Sequence, residues 1–291
     1  MQVFVATVLA LLAFAGNSLL CRIALRDTAI DPASFTALRV ASGAAMLAGI
    51  AWLRTPRGTG PALTGSWVSA AALFAYAAGF SLAYVHLSAG TGALLLFGAV
   101  QLSMIGWGWW QGERLGGVQL AGLAMALGGL VALLLPGLAA PPAGAAGLML
   151  AAGVAWGVYS LRGRRAGDPT RATAGNFCRA LPMGLLMLAL AGPWQGLRID
   201  AAGAAYAVAS GAIASGLGYA VWYAVLPQLR AATAATTQLA VPALAAAGGA
   251  LLLGEPLTWR LALCSAVLLG GIALVVRGAG RTPGQNGSGK G

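Results

Sequence analysis

Gly254-Glu255-Pro256-Leu257 opens an apolar stretch that carries Gly270-Gly271-Ile272-Ala273-Leu274-Val275, and it repeats an earlier one. That copy begins Gly112-Glu113-Arg114-Leu115 and carries Gly128-Gly129-Leu130-Val131-Ala132-Leu133. From the Glu to the glycine pair is 15 and 16 residues in both copies (128 − 113, 129 − 113; 270 − 255, 271 − 255), and the copies lie 142 residues apart (255 − 113). A Glu at the head of an apolar helix is expected to turn its carboxylate toward that helix's free N–H groups and positive dipole end. Pro256 suits a first helical turn, where a missing N–H costs nothing. The glycine pair would let a second backbone approach closely. Two unrelated helix starts would leave the matched spacing unexplained, so the chain is read as an internal duplication.

Of the 291 residues, 59% are hydrophobic and only 8% charged, with a mean hydropathy of +0.82. Soluble domains carry about 25% charged residues, and this much apolar surface cannot hide in one water-facing core, so the surrounding medium is expected to be membrane lipid. A net charge of +11 raises the question of nucleic acid. The arginines fall between apolar runs, as in the loops of membrane proteins, so no nucleic-acid partner is expected. Cys21, Cys178 and Cys264 have neither metal spacing nor a disulfide pattern, and are read as small packing residues.

Apolar runs of about 20 residues give ten spans, at 2–22, 33–53, 66–86, 91–111, 116–135, 143–162, 172–191, 203–226, 231–253 and 258–277. Ala13-Phe14-Ala15 resembles a signal-peptidase site but lacks a basic segment before it, so the first span is read as retained. The breaks carry turn residues: Asp31-Pro32, Thr55-Pro56-Arg57-Gly58, Pro136-Gly137, Pro141-Pro142, Asp168-Pro169 and Gly192-Pro193. Short loops make successive helices antiparallel. Residues 279–291 are Gly/Ser/Asn-rich and expected to be a disordered tail, in part left over from expression. With the N-terminus inside, the inner loops and tail hold Arg54, Arg57, Arg114, Arg162, Arg164, Arg165, Arg171, Arg230, Arg277, Arg281 and Lys290, against Arg22, Arg26, Arg198 and Arg260 outside. That balance of 11 to 4 predicts a multi-pass protein of the bacterial inner membrane with both termini cytoplasmic.

The duplication reaches beyond its opening motif. Phe14 and Asn17 match Trp156 and Tyr159, Asp31-Pro32 with Arg39 matches Asp168-Pro169 with Arg179, and Phe80 and Tyr84 match Tyr219 and Tyr223. Five spans per half is odd, so the halves, residues 1–137 and 138–278, must insert in opposite orientations. The expected fold is an all-α membrane protein of ten transmembrane helices, two inverted-topology five-helix repeats around a central cavity, with the substrate site near the midplane.

The duplicated half, with Asp-Pro and an arginine in its second helix and Gly-Glu-x-Leu followed by Gly-Gly at its fifth, resembles the EamA module of the drug/metabolite transporter superfamily. The likeness covers roughly residues 3–277. Within the superfamily it is most similar to the ten-helix bacterial exporters of the aromatic-amino-acid type. The resemblance implies a basket in which helices one, three, four, six, eight and nine surround the cavity and helices five and ten lie outside.

Catalytic chemistry finds no residues to use. His86 is the only histidine, and Asp27, Asp31, Glu113, Asp168, Asp200 and Glu255 all fall in loops or at helix ends. No enzyme, metal centre or cofactor is expected. What remains is aromatic and amide. Tyr76, Phe80 and Tyr84 form one i, i+4, i+8 stripe, and Ser215, Tyr219 and Tyr223 its counterpart. Asn17 with Ser18, Gln101 and Gln238 are polar groups inside apolar spans, which face protein or a wet cavity rather than lipid. With Trp156 and Tyr159 these are the candidate cavity residues, the plainer reading being interfacial belting or helix packing. Trp52, Trp107, Trp109, Trp110 and Trp259 are assigned to belts. Arg39 and Arg179 are expected to snorkel or cap helix carbonyls, the sharper alternative being a substrate carboxylate. Pro242 is a candidate hinge against a static kink, and His86 a candidate proton relay against an interfacial role.

These features predict an exporter or facilitator of small zwitterionic metabolites, amino acids including aromatic ones, by alternating access without proton coupling. Phe14, Asn17, Phe80 and Tyr84 would gate the outer half, and Trp156, Tyr159, Tyr219 and Tyr223 the inner. The alternatives are a broader drug, metabolite or sugar-conjugate carrier, and a non-transporting scaffold or sensor. Nucleotide-sugar or phosphate substrates would want a more cationic cavity than Arg39 and Arg179 provide.

Overall fold

The computed structural model describes residues 1–54, 63–137, 140–163, 167–229 and 237–279. Among them every regular element is helical. The helices are α1 (Gln2–Asp27), α2 (Pro32–Arg54), α3 (Trp67–Tyr84), α4 (Ala89–Trp110), α5 (Gly117–Leu134), α6 (Ala143–Gly163), α7 (Pro169–Gln195), α8 (Ala201–Gln228), α9 (Ala240–Leu253) and α10 (Trp259–Ala279). All but α9 are long and apolar enough to cross a membrane, and α9 is a shorter apolar helix. The expected stretch 231–236, the Thr55-Pro56-Arg57-Gly58 break, Arg164, Arg165, Arg230 and the tail from 280 lie outside the described residues.

Several boundaries differ from the sequence reading. Helix α1 runs on to Asp27. Helix α7 passes through Gly192-Pro193, which reads as a break, and stops only at Gly196, whose φ of 68° ends the helix. A proline near the C-terminal end removes one backbone bond, whereas the positive φ of Gly196, open to a residue without a Cβ, turns the chain out of the helix. Helix α8 is not uniform: Ala209–Leu217 is π-helical, between α-helical Ala201–Val208 and Gly218–Val225. Pro242 lies in the first turn of α9, just past a turn at Leu239. As a first-turn residue it costs α9 no bond, and the turn at Leu239 interrupts the helix between Gln238 and Ala240.

Asp31 and Asp168 start α2 and α7 in the same way. Asp31 accepts from the backbone N of Ala33 and Ser34 (2.9 Å each) and Asp168 from those of Thr170 and Arg171 (3.0 and 3.1 Å), with a proline as the first helical residue in each. Asp-Pro is thus an N-cap followed by a residue whose fixed φ suits the helix.

The principal pairings are α5 with α10, α2 with α7, α3 and α4 with α6, α8 with α1 and α2, and α9 with α1 and α4. Advancing each helix number by five sends α3–α6 to α8–α1 and α4–α6 to α9–α1, and leaves α2–α7, α4–α9 and α5–α10 unchanged. The closest pair, α5–α10, meets at the glycines of the duplicated motif. A Cβ on Gly129 would come within 2.8 Å of the Leu268 backbone N, and one on Gly271 within 2.5 Å of the Ala126 N, while Gly128 and Gly270 meet nothing. In lipid, where apolar burial drives little association, such close backbone approach supplies the dispersion contact that holds helices together. Outside this pair, α5 and α10 touch chiefly α4. Leu186, Leu190, Leu251 and Leu252 are exposed on the outside of the bundle, where water would penalise them and acyl chains do not.

Candidate substrate cavity

The two halves meet in a cluster of rings. On α3, Tyr76, Phe80 and Tyr84 are buried and follow one another, with centroids 5.3 and 4.7 Å apart. Trp156 on α6 lies at the centre, stacked on Tyr159 and Tyr219 (both 5.2 Å) and tilted against Tyr76 (4.8 Å). Phe14 on α1 closes the cluster against Tyr219 and Trp222. Helical spacing of four residues puts each stripe on one face, and the pairing of α3 with α6 and of α1 with α8 brings the faces together.

A buried polar chain runs beside the rings. The Ser210 hydroxyl donates to Asn17 Oδ1 (2.6 Å), Asn17 Nδ2 donates to the Tyr76 hydroxyl (3.2 Å), and Arg39 Nη2 donates to the same hydroxyl (2.8 Å). Ser210 belongs to the π-helical stretch of α8, a departure from α geometry that recurs at functional sites.

These groups border a cavity of about 520 Å³, within the range for small-molecule sites. Its walls include Phe14, Asn17, Ser18, Tyr76, Phe80, Gln101, Trp156, Tyr219, Tyr223 and Gln238. Gln101, Met104 and Gly163 also border a wider cleft of about 1300 Å³, whose walls include Ser66, Ser69, Gln111, Glu113, Arg162, Asp168 and Asn176. The cleft opens beside the C-terminal ends of α4 and α6 and the N-terminal end of α7.

Residues 144–277 match the EamA-like transporter family. An uncharacterized protein of Pseudomonas aeruginosa is 62% identical over 271 residues, 93% of each chain. The chain belongs to the EamA-like transporter family. A protein of known crystal structure, 24% identical, superposes with a TM-score of 0.65 over 93% of this chain and 97% of that one, and so shares its fold. This EamA-like protein is therefore a multi-pass membrane protein of a transporter family.

Not every candidate residue of this EamA-like chain borders the cavity. Tyr84 lies deeper along α3 and donates to the Ala89 carbonyl (3.2 Å). Tyr159 lies behind Trp156 and donates to Thr173 (3.1 Å). Ser215 is buried with its hydroxyl unpaired among the described residues, and Ala214 takes its place in the wall. The π-helical stretch explains the shift, since its wider turn breaks the four-residue stripe that spacing alone predicts. His86 is exposed in the turn after α3, away from the cavity. Trp52, Trp109, Trp110 and Trp259 are exposed at helix ends, as belt residues would be.

Arg39 and Arg179 differ. Arg179 caps carbonyls, donating to Thr64 O (2.7 Å) and Gly175 O (3.0 Å). Arg39 caps none. It is 2% exposed, lies over the rings of Phe80 (4.7 Å) and Tyr76 (5.1 Å), and has its Nη1 unpaired among the described residues. Snorkelling therefore fails for Arg39. Phe97, Met104, Ser160, Ser210 and Trp222 also contribute; sequence spacing did not mark them, since apolar and small residues fill every face of these helices. Only Trp222, beside Tyr223, carried a signal.

The motif's acids depart from expectation too. Neither is held by its own helix. Each folds back over a glycine of the preceding helix, where a Cβ on Gly108 would meet Glu113 Oε2 at 2.5 Å and one on Gly249 would meet Glu255 Oε2 at 2.6 Å. The Glu113 and Glu255 backbone N groups donate to those same glycines' carbonyls, at 3.0 Å each. Glu255 then accepts from the Ala89 backbone N at the start of α4 (2.8 Å) and from Arg22 Nε (3.0 Å), while Arg22 Nη1 donates to the Tyr84 and Val85 carbonyls (2.9 Å each). Its carboxylate serves another helix's N-terminus because the glycine turn carries it away from its own.

Proposed function

We propose that the protein carries small zwitterionic metabolites, amino acids including aromatic ones, across the bacterial inner membrane by alternating access, as an exporter or facilitator with both termini cytoplasmic. The observation that supports this most is Trp156, stacked between Tyr159 and Tyr219 at the edge of a cavity that also presents the amides of Asn17, Gln101 and Gln238. Stacked rings favour a flat side chain and amides a polar head. The inverted repeat supplies the means of access from either side, since equivalent residues in its two halves lie at opposite depths. Among the described residues no carboxylate borders the 520 Å³ cavity and His86 lies outside it, so turnover is expected without an imposed pH difference.

Purified protein in liposomes, offered a panel of amino acids, tests the reading. Trp156→Ala should weaken aromatic substrates more than alanine or serine. A ring contact is worth about 0.5–1.5 kcal/mol beyond its area, so the selective loss is several-fold. Equal losses for every substrate would mark a packing defect, and no flux for any amino acid would overturn the reading.

A further inference from the structure

Arg39 is a buried cation with no anion. Among the described residues the ion pairs are Arg22–Glu255, Arg26–Asp27 and Arg171–Asp168, and none involves it. Two ring faces and one hydroxyl do not repay the desolvation of a guanidinium, and an apolar side chain would fill the same space at no such cost. The charge has its outlet through Tyr76. That hydroxyl accepts from Arg39 Nη2 and Asn17 Nδ2, which uses its acceptor sites and leaves its own proton to be shared between the neighbouring Tyr219 hydroxyl and a ligand in the cavity. Tyr76 borders the cavity; Arg39 lies behind it. A phenol accepting from a guanidinium in a low-dielectric site is a strengthened donor, suited to a carboxylate. Among the described residues no acidic side chain borders the same space, so a substrate ammonium finds no counter-charge.

We propose that the cavity selects its ligand by the carboxylate, which docks on Tyr76 with Arg39 as the compensating charge, and that the amino group is dispensable. Aromatic monocarboxylates are then ligands alongside aromatic amino acids. The inference rests on the transport reading of this cavity and narrows its substrate class. Arg39 is a positioning residue, acting through Tyr76 rather than by touching the ligand in this state.

The test uses purified full-length protein with phenylalanine, 3-phenylpropanoate, which lacks the amine, and phenethylamine, which lacks the carboxylate. Each is scored by thermal stabilisation in detergent and by competition with phenylalanine counterflow in liposomes. 3-Phenylpropanoate should match phenylalanine, with phenethylamine at least about tenfold weaker, one decade of affinity. Arg39→Met should collapse the acid-to-amine ratio toward one, Arg39→Lys should restore it, and Tyr76→Phe should lower it with the ring intact. Phenethylamine matching 3-phenylpropanoate, or a ratio unchanged in the folded variants, overturns the proposal. If Arg39→Met does not fold, Tyr76→Phe decides. Stabilisation by 3-phenylpropanoate without counterflow of any amino acid would retain the carboxylate site and defeat the transport reading. Phenylalanine counterflow indifferent to 3-phenylpropanoate would do the reverse.

Discussion

Glu113 and Glu255 hold the same place in two copies of one motif, fold over equivalent glycines by the same backbone bond, and end in different surroundings. The Glu255 side chain is 9% exposed and its Arg22 partner 14%. Together they tie α1, the C-terminal end of α3, the start of α4 and the approach to α10. Glu113 is exposed on the wall of the wide cleft, with no ion pair among the described residues. The backbones differ likewise: those of α1 and α3 come together, whereas among the described residues those of their counterparts α6 and α8 stay further apart and the two helices meet through the Trp156 and Tyr219 rings. A repeated sequence thus dictates a repeated local fold, while long-range partners make one end shut and the other open. On the alternating-access reading, the difference between the ends is a state of the molecule and not a property of either copy.

The largest effect should come from the acids. Glu255→Gln leaves Arg22 half-buried without its partner, and breaking such a pair from one side costs on the order of 3 kcal/mol. Glu113→Gln removes an exposed carboxylate, worth about 0–1 kcal/mol. Thermal unfolding of the two variants in detergent should differ accordingly. Equal shifts would dissolve the asymmetry.

The glycines should behave oppositely, alike in both copies. Gly129→Val and Gly271→Val each force α5 and α10 apart, at about 1–3 kcal/mol, while Gly128→Ala and Gly270→Ala meet open space and should gain up to about 1 kcal/mol of helix propensity. Unequal costs for Gly129 and Gly271 would mean that the packing, and not only the acids, distinguishes the halves.

What could be read from the chain follows from the range of the forces involved. Asp-Pro starts, glycine contacts and four-residue aromatic stripes are local or repeated, and their spacing shows in the sequence. The 166-residue reach from Glu255 to the Ala89 N–H leaves no trace in spacing, and dipole reasoning pointed the carboxylate at its own helix instead. The π-helical turn at Ala209–Leu217, which packs against α1 and α2, shows no mark in the spacing either, and with it Ser215 stands off the cavity wall while Tyr219 stays on it. Arg39 and Arg179 look alike in sequence; in the fold Arg179 reaches two carbonyls, while Arg39 is buried against two rings and the Tyr76 hydroxyl.

The helix starts give the smallest expected effect. Burial raises the Asp31 carboxyl, but the Ser34 hydroxyl and the backbone N–H groups of Ser34, Arg198 and Ala33 outweigh it and hold the group below the usual carboxylate range. A depressed folded-state pKa stabilises above the unfolded value of about 4 and loses that contribution as pH falls through the folded value. Asp31→Asn keeps one oxygen for the cap but loses Oδ2, which accepts from the Ser34 hydroxyl and the Arg198 N–H, so it should cost about 1 kcal/mol at neutral pH, and the gap from wild type should close below about pH 4. A gap that persists in acid would assign the cap to hydrogen bonding alone.

Electron–electron distance measurements on two spin-labelled pairs in liposomes test the central claim most directly. One pair, Ala29 and His86, flanks the closed end; the other, Gly167 and Gln228, flanks the open one, and all four positions are exposed. As substrate is added and exchanged, the first distance should lengthen in the population where the second shortens. Both pairs moving in step, or neither moving while flux continues, would contradict alternating access through this cavity.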